Sequence, residues 1–390
     1  MHTKKALPLL FLVMFMVMAG FGIIIPVMPF LVEDMGATPT ELGLLMSVYS
    51  LMQFIFAPFW GRISDRFGRK PVMLLGIAGL SISFFMTAAA DALWVLFAAR
   101  IIGGILSSAN MPTAMAYVAD ITTEENRSKG MGIIGAATGL GFVFGPAIGG
   151  IFSGISLTTP FYIAGSISII TMFLVAFLLK ESLPEEQRGK HSPAGRSFRA
   201  ALGGPHMIIY VLQTIMTLSM AGLEATFAYF ASVKAGLDAV QLGYIFMIMG
   251  LAGAIVQGGL IGPMTKRFCE AAVIRTGMSI SAIGFLLVLF ADNFWKAALF
   301  LTIFGIGNGV IRPSLSSLLT KGSAGGHGRT TGMLSSFDSL GRILGPTAGG
   351  WLFSVSIGFP YIAGACLSLL SLVLFHFFGK QYQMKKSSSV

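Results

Sequence analysis

The stretch Gly141-Phe-Val-Phe-Gly-Pro-Ala-Ile-Gly-Gly150 recurs 200 residues later as Gly341-Arg-Ile-Leu-Gly-Pro-Thr-Ala-Gly-Gly350. Two more stretches repeat at about this offset. Pro160-Phe-Tyr-Ile-Ala-Gly165 recurs as Pro360-Tyr-Ile-Ala-Gly364, and Gly61-Arg-Ile-Ser-Asp-Arg-Phe67 is similar to Gly262-Pro-Met-Thr-Lys-Arg-Phe268. Because three stretches repeat in the same order, we expect two halves that share one fold and one orientation.

Composition places both halves in a lipid bilayer. Of the 390 residues, 55% are apolar and only 11% are charged, and the mean hydropathy is +0.81. Soluble proteins carry about 25% charged residues, so a pair of soluble domains is excluded. The apolar runs are continuous and do not alternate with polar residues, which excludes a β-barrel.

Runs without charge predict twelve spanning helices, since about 20 apolar residues cross the hydrocarbon core. The predicted segments are 7–30, 41–60, 71–90, 93–118, 130–154, 159–179, 206–231, 240–265, 271–291, 295–319, 328–355 and 358–379. The first run is too long for a signal peptide and lacks a cleavage site, so we expect a retained helix. We therefore predict an all-α membrane protein with two six-helix halves, 1–180 and 205–390, and a polar cytoplasmic linker, 181–204.

Basic residues predict the orientation. Of the 26 Lys and Arg, 21 fall in loops and tails on the side of the N-terminus, two fall on the other side and three fall within predicted helices. Cytoplasmic loops are rich in Lys and Arg, so both termini are predicted in the cytoplasm. The net charge of +10 then reflects these loops and does not indicate binding to nucleic acid.

The predicted loop between the second and third helices reads Gly61-Arg-Ile-Ser-Asp65-Arg66-Phe-Gly68-Arg69-Lys70. Its glycines allow backbones to approach closely, and Asp65 is placed to stabilise the positive end of the third helix. The arginines are placed to pair with Asp120 at the end of the fourth helix. Such ion pairs can latch one conformation, whereas a plain basic loop explains the same composition equally well.

The repeated glycine-proline stretches also have two interpretations. Small residues provide faces for close helix packing, and this alone explains the glycines. Each proline removes a backbone donor and permits a bend, and the duplication favours hinges between the two halves. The predicted hinge positions are Gly141, Gly145, Pro146, Gly149, Gly345 and Pro346.

Ionisable residues inside spanning helices are expensive in lipid and therefore indicate function. Arg100 and Glu224 each lie about seven residues from the outer end of their helix, and no basic residue lies within one turn of Glu224. A lone carboxylate away from water is costly to keep charged, so it can take up and release a proton. The alternative is that the carboxyl of Glu224 is held neutral or faces the outer aqueous mouth.

A second ionisable group lies in the tenth and eleventh predicted helices. Asp338 and Arg342 are four residues apart on one helix and can pair, and Arg312 lies at a similar depth on the preceding helix. An ion pair that only cancels charge explains this group. Alternatively, Asp338 is a second proton site that two arginines control.

In these residues and the motifs that contain them, the chain resembles the major facilitator superfamily of transporters. The stretch 61–70 is similar to the superfamily signature G-x-x-x-D-R-x-G-R-K. Arg100-Ile-Ile-Gly-Gly104 is similar to the intramembrane arginine motif of drug–proton antiporters, and 141–150 to their fifth-helix motif. Gly22-x-x-x-Pro26-Val-Met-Pro29 is similar to the first-helix motif of the twelve-helix drug:proton antiporter group, and the whole pattern resembles Gram-positive quinolone and multidrug efflux proteins.

This resemblance implies a monomeric, proton-coupled multidrug efflux antiporter of the inner (cytoplasmic) membrane, which exports hydrophobic, often cationic, drugs by alternating access. It supports proton coupling by Glu224, and it places Gln53 and Phe142 at the drug site. Similar quinolone pumps tend to carry an acid just before the Arg312-Pro313 pair, and here Asp338 is the candidate substitute. The predicted substrate cavity contains Gln53, Arg100, Phe142, Glu224, Arg312 and Arg342.

Two alternatives come from other functional classes. A transporter of a single metabolite, such as a sugar or an amino acid derivative, is the first. A membrane-embedded enzyme or sensor is the second, and the lack of a nucleophile–base constellation and of a soluble domain argues against it. The sequence contains no G-x-x-x-x-G-K-[ST] motif, so it does not predict an ATPase. Its histidines show no metal spacing, so we predict neither a metal nor a cofactor.

Overall fold

The computed structural model describes residues 2–189, 207–322 and 327–387, and the regular secondary structure in these ranges is helical. The helices of the first half are α1 (His2–Asp34), α2 (Pro39–Phe67), α3 (Arg69–Ala88), α4 (Leu93–Ser107 and Asn110–Ile121), α5 (Glu124–Ser153) and α6 (Thr159–Leu178). The helices of the second half are α7 (Met207–Ala235), α8 (Ala239–Ile255, Val256–Leu260 and Ile261–Arg267), α9 (Glu270–Val288), α10 (Phe294–Gly322), α11 (His327–Val355) and α12 (Phe359–Ser387).

Two of these helices are interrupted where the sequence predicted continuous segments. Helix α4 breaks at Ser108 and Ala109, and α8 passes through one turn of π-helix at Val256–Leu260. A π-turn widens the helix by one residue and leaves its neighbouring backbone bonds less regular. Neither interruption contains a proline, which is the residue that would have marked it in the sequence.

Eleven helical spans in the described ranges are long and apolar enough to cross a membrane. Helix α11 has a sufficient length of 29 residues, but it is less apolar on average than the other long helices. At a rise of about 1.5 Å per residue it still exceeds the hydrocarbon thickness of about 30 Å. With α11 as the twelfth span, the predicted all-α membrane fold is confirmed.

One boundary difference that bears on the predicted site is at the end of α2. This helix was predicted to end at residue 60, but it continues to Phe67, so residues 61–65 lie on a helix and not in a loop. The connection to α3 is the single residue Gly68, whose φ of +107° favours glycine. The prediction was wrong because charged residues end the apolar span of a helix without ending the helix itself.

Equivalent helix pairs pack together in both halves. Helix α1 packs on α5 as α7 packs on α11, and α3 packs on α4 and α6 as α9 packs on α10 and α12. Gly165 of α6 and Gly364 of α12 each face a phenylalanine ring, that of Phe85 on α3 and that of Phe285 on α9. The repeat that the sequence predicts therefore extends to the side chains that join the helices.

The glycine-proline stretches lie where the α1–α5 and α7–α11 pairs come closest. A Cβ atom on Gly145 would lie 2.5 Å from the carbonyl oxygen of Ala19 in α1. A Cβ atom on Gly345 would lie 2.5 Å from the carbonyl oxygen of Leu218 in α7. These distances support the packing interpretation, and the hinge role stays a prediction. The remaining predicted hinge positions lie along the same two helices: Gly141, Pro146, Gly149 and Pro346.

The chain divides into two compact units, which we describe separately. The first unit is Met1–Ala37, Val48–Ala194 and Ala239–Met247. The second unit is Thr38–Ser47, Gly195–Asp238 and Ile248–Val390. The predicted six-helix halves differ from these units at the first residues of α2 and α8. Residues 190–204 of the predicted linker 181–204 lie outside the described residues.

Candidate functional site

One group of predicted site residues surrounds Tyr49 of α2, in the first unit. The guanidinium carbon of Arg100, on α4, lies 5.7 Å from the centroid of the Tyr49 ring. Gln53 Nε2 donates a hydrogen bond to the Tyr49 hydroxyl at 3.2 Å, and this hydroxyl shares a 2.9 Å hydrogen bond with Ser107 Oγ. Helices α2 and α4 therefore hold the tyrosine ring beside the buried arginine.

Aromatic rings connect this group to Phe142 of α5. The ring of Phe21, on α1, lies 6.4 Å from the ring of Tyr49 and 6.4 Å from the ring of Phe142, measured between centroids. Gln53, Arg100 and Phe142, which were predicted separately, thus belong to one cluster. Sequence analysis missed Tyr49 and Phe21 because an aromatic residue in an apolar helix carries no distinguishing signal.

The second group is centred on Asp338 of α11, in the second unit. Its Oδ1 atom accepts hydrogen bonds from Gln213 Nε2 and Thr217 Oγ1 of α7, each at 2.7 Å. Its Oδ2 atom lies 3.6 Å from Arg342 Nε and 3.8 Å from Arg312 Nη1. Both carboxylate oxygens are therefore engaged, which is the arrangement that a buried charge requires. Gln213 and Thr217 complete the group that the sequence predicted.

Glu224 of α7 is an acid in a different environment. Its side chain is only 2% exposed, so it does not point at lipid, and its Oε1 atom has no hydrogen-bond partner among the described residues. The charges that act on it belong to Arg342 and Asp338, both on α11. Sequence analysis found no basic neighbour of Glu224 because spacing along the sequence identifies only neighbours on the same helix.

The third group lies at the connection between α2 and α3. Arg69 is buried, and its Nη1 atom lies 2.6 Å from Asp65 Oδ1 while its Nε atom lies 3.1 Å from Asp120 Oδ2. The arginine that meets Asp120 is thus Arg69. Arg66 is exposed and lies over the ring of Phe67.

Glu181, at the start of the predicted linker, completes this third group. Its carboxylate accepts hydrogen bonds at 2.8–3.1 Å from four backbone N–H groups, those of Arg69, Lys70, Ser182 and Leu183. Two of these are the first N–H groups of α3, where a negative charge is favourable. Sequence analysis missed Glu181 because it is 112 residues away from its partner Arg69 along the chain.

Two details of the predicted connection are corrected. Asp65 lies in the last turn of α2 and pairs with the side chain of Arg69, whereas Glu181 accepts the hydrogen bonds of the first backbone N–H groups of α3. The close approach predicted for the glycines is found at Gly68, where a Cβ atom would lie 2.5 Å from Glu181 Oε2. At Gly61 a Cβ atom would meet only Pro112, at an ordinary 3.9 Å.

Replacement of Glu181 by alanine is expected to destabilise the protein. Four backbone N–H groups lose a charged acceptor, so we expect a loss of about 1–3 kcal/mol and a lower melting temperature of the purified protein in detergent. Glu185→Ala is the matched control, because this side chain is 87% exposed and pairs only with Arg188 among the described residues. Equal melting temperatures for the two variants would contradict the role assigned to Glu181.

Together, the fold and these groups define a class of protein. The described ranges contain twelve spanning helices in repeated order, with charged groups buried inside the helices of each unit, and this arrangement is typical of a secondary transporter. The chain belongs to the Major Facilitator Superfamily, whose sequence profile matches residues 10–325 and 258–389. The protein is a multi-pass membrane transporter and not an enzyme.

Individual relatives agree with this assignment. The chain is 35% identical over 367 residues to tetracycline resistance protein, class C, of Escherichia coli, which covers 90% of this chain and 92% of that protein. It is 30% identical over 366 residues to multidrug resistance protein 2 of Bacillus subtilis (strain 168), with 92% of each chain covered. The solved structure of the nucleoside transporter NupG matches with a TM-score of 0.82 at 14% identity, over 96% of this chain and 99% of that one, and supports the fold alone. The resemblance predicted from the sequence is confirmed.

Proposed function

We propose that this chain is a proton-coupled multidrug efflux antiporter of a bacterial cytoplasmic membrane. It exports hydrophobic, often cationic, drugs by alternating access, in exchange for protons that enter the cell. The names of its relatives, which are multidrug and tetracycline resistance proteins, support drug efflux. The two six-helix halves, 1–180 and 205–390, move as the units of transport, both termini lie in the cytoplasm, and the protein acts as a monomer.

The observation that carries this proposal is the contrast between two buried acids. Glu224 Oε1 has no hydrogen-bond partner among the described residues, whereas Asp338 accepts two hydrogen bonds and faces two arginines. A carboxylate away from water attracts a drug cation or a proton strongly, but one negative charge balances only one of them. Glu224 is therefore the principal proton site, and Asp338, which must first give up its partners, is the secondary one.

This exchange couples the two fluxes. Protonation of Glu224 neutralises its site and releases the drug to the outside. Loss of the proton to the cytoplasm restores a negative charge that attracts the next cation. Arg312 Nη1 and Arg342 Nε lie 3.8 Å and 3.6 Å from Asp338 Oδ2, so Asp338 balances part of their positive charge. The chain's 23 methionines and 33 phenylalanines supply deformable apolar contacts for drugs of different shape.

The remaining predicted sites have mechanical roles in this scheme. Gln53, Arg100 and Phe142 contribute drug contacts from the first unit. The Arg69–Asp120 ion pair latches one conformation and breaks in the other. The glycine-proline stretches of α5 and α11 provide the close helix contacts about which the halves move.

A flux measurement tests the proposal. Purified protein in liposomes with an acidic interior is given ethidium or norfloxacin outside, and we expect each drug to make the interior more alkaline as protons leave in exchange. If neither drug moves protons, the proposed function is wrong. A growth-inhibition panel of many compounds in a pump-deficient host distinguishes multidrug efflux from the alternative, a transporter of a single substrate. Protection against only one compound would favour that alternative.

A further inference from the structure

The ends of α2 and α8 that are predicted to face the outside pack in equivalent ways, each within one compact unit. In the second unit, a Cβ atom on Gly43 of α2 would lie against the carbonyl oxygen of Pro346 in α11. In the first unit, a Cβ atom on Gly243 of α8 would lie 2.6 Å from the carbonyl oxygen of Pro146 in α5. Both pairs of positions are separated by the 200 residues of the sequence repeat.

Each of these contacts contains a second close approach at a glycine. A Cβ atom on Gly350 of α11 would lie 3.1 Å from the Cα atom of Thr40 in α2. A Cβ atom on Gly150 of α5 would lie 2.8 Å from the Cα atom of Gly243 in α8. Backbone therefore meets backbone in both places, which only small residues allow. We refer to them as the α2–α11 contact and the α5–α8 contact.

Hydroxyl groups join the two helices of the α2–α11 contact. Ser47 Oγ and Thr347 Oγ1 share a hydrogen bond of 2.8 Å, and Ser47 is only 6% exposed. Thr40 Oγ1 and Ser354 Oγ share a hydrogen bond of 3.0 Å at the exposed rim of the contact. The two pairs are seven residues apart on each helix, so they lie on the same face, about two turns from each other.

The α5–α8 contact has apolar residues at the equivalent positions. Where the α2–α11 contact has its rim pair of hydroxyls, Val240 Cγ2 would lie 3.4 Å from a Cβ atom on Gly154. The same backbone arrangement thus carries hydroxyl pairs in one contact and hydrocarbon in the other. The residues 200 positions away from Ser47, Thr347, Thr40 and Ser354 are Met247, Ala147, Val240 and Gly154.

The two contacts differ in what their separation in water requires. A hydroxyl that leaves another hydroxyl forms a hydrogen bond with water instead, so the exchange is nearly balanced. Apolar side chains that become exposed to water lose the free energy of their burial and receive nothing in return. Hydroxyl pairs are therefore suited to a contact that opens to water and closes again in every transport cycle.

We propose that the pairs Ser47–Thr347 and Thr40–Ser354 form a hydroxyl clasp, which holds the α2–α11 contact closed and opens when water replaces the partner hydroxyls. This inference rests on the proposed function, because it specifies how one step of alternating access is controlled. A paired contact has a characteristic response to substitution. Loss of one hydroxyl leaves its partner buried without a hydrogen bond and favours the open state, whereas loss of both removes this penalty.

A double-mutant cycle on Ser47 and Thr347 tests the clasp. The native cysteines, which are both exposed, are first replaced by serine. Nitroxide labels are then attached at Asp91→Cys and Asp292→Cys, two exposed positions in the α3–α4 and α9–α10 connections. Double electron–electron resonance on the full chain in lipid nanodiscs gives the ratio of the long-distance, open population to the short-distance, closed one.

Thr347→Val is expected to raise this ratio at least about fivefold, because the buried Ser47 hydroxyl loses its partner in the closed state. Ser47→Ala should act in the same direction, and it decides the matter if Thr347→Val does not fold. With both substitutions the ratio should return to within about twofold of the unmodified value. Thr138→Val on α5 is the control, since this hydroxyl donates to the Gly135 carbonyl of its own helix at 2.8 Å, and it should leave the ratio unchanged.

Two results would overturn the clasp. One is an unchanged ratio in both single variants, and the other is a double variant whose effect is the sum of the two single effects in free energy. Either result in a protein that still exchanges ethidium for protons refutes the clasp alone. A single distance in every sample, together with no proton movement driven by ethidium, refutes the proposed function and the clasp with it.

Discussion

Glu224→Gln is expected to abolish proton-coupled drug transport. Glutamine has nearly the same shape but cannot exchange a proton, so the site stays neutral on both sides of the membrane. In liposomes with an acidic interior, the alkalinisation driven by ethidium should fall to the background of empty liposomes. The physical reason is that Glu224 is 2% exposed and its Oε1 atom has no hydrogen-bond partner among the described residues, so a proton that binds to this oxygen displaces no fixed hydrogen bond.

Two other variants make this result interpretable. Glu224→Asp keeps an exchangeable proton and should keep part of the flux, with the loss set by the shorter side chain. Asp292→Asn removes an exposed acid that pairs with Lys296 at 2.6 Å, and it should transport at the unmodified rate. Proton movement by Glu224→Gln at the unmodified rate would exclude this residue from coupling and leave Asp338 as the acid to examine.

The fold could be predicted from the sequence because the bilayer limits the possible structures. Continuous apolar runs in lipid must form helices, so composition and run length predict the secondary structure. The glycine repeats predict which faces touch, because only small residues let backbones approach closely. Gly145 and Gly345 face α1 and α7 in equivalent ways, as the repeat in the sequence predicts.

The candidate sites could be predicted only in part, because their chemistry depends on contacts between helices. Arg342 and Asp338 act on Glu224 from another helix, which helical spacing cannot detect. Glu181 meets Arg69 and Lys70 across a large separation in sequence. A charged residue in an apolar segment is conspicuous, and this is why Arg100 and Glu224 were found while Tyr49 beside Arg100 and Thr217 beside Asp338 were not.

These partners decide how the acids differ. Asp338 and Glu224 are both buried carboxyls, and the sequence treats them as two candidates for the same task. Gln213 and Thr217 donate to Asp338, and the two arginines balance its charge. Neutral side chains on α7 therefore give Asp338 fixed partners, which Glu224 Oε1 lacks among the described residues.

Gly145→Ala is expected to lower the stability of the protein by about 1–3 kcal/mol. The new methyl group would lie 2.5 Å from the Ala19 carbonyl oxygen and 2.9 Å from the Gly22 Cα atom. Both are backbone atoms, so no side-chain rotation relieves the contact, and α1 and α5 must separate. The measurement is the melting temperature of the purified protein in detergent, and Gly345→Ala should behave in the same way for α7 and α11.

Gly139→Ala provides a control on the same helix, since nothing lies within 4 Å of the position its Cβ would take. This variant should keep or slightly raise the melting temperature, because alanine favours a helix over glycine by about 1 kcal/mol. Similar melting temperatures for Gly139→Ala and Gly145→Ala would contradict the close contact.

The transport rate per folded molecule, measured well below the melting temperature, distinguishes a packing role of the glycine-proline stretches from a hinge role. We expect Gly145→Ala to slow transport as well, since the α1–α5 contact must adapt while the halves move, whereas an unchanged rate would reduce the glycine-proline stretches to packing faces.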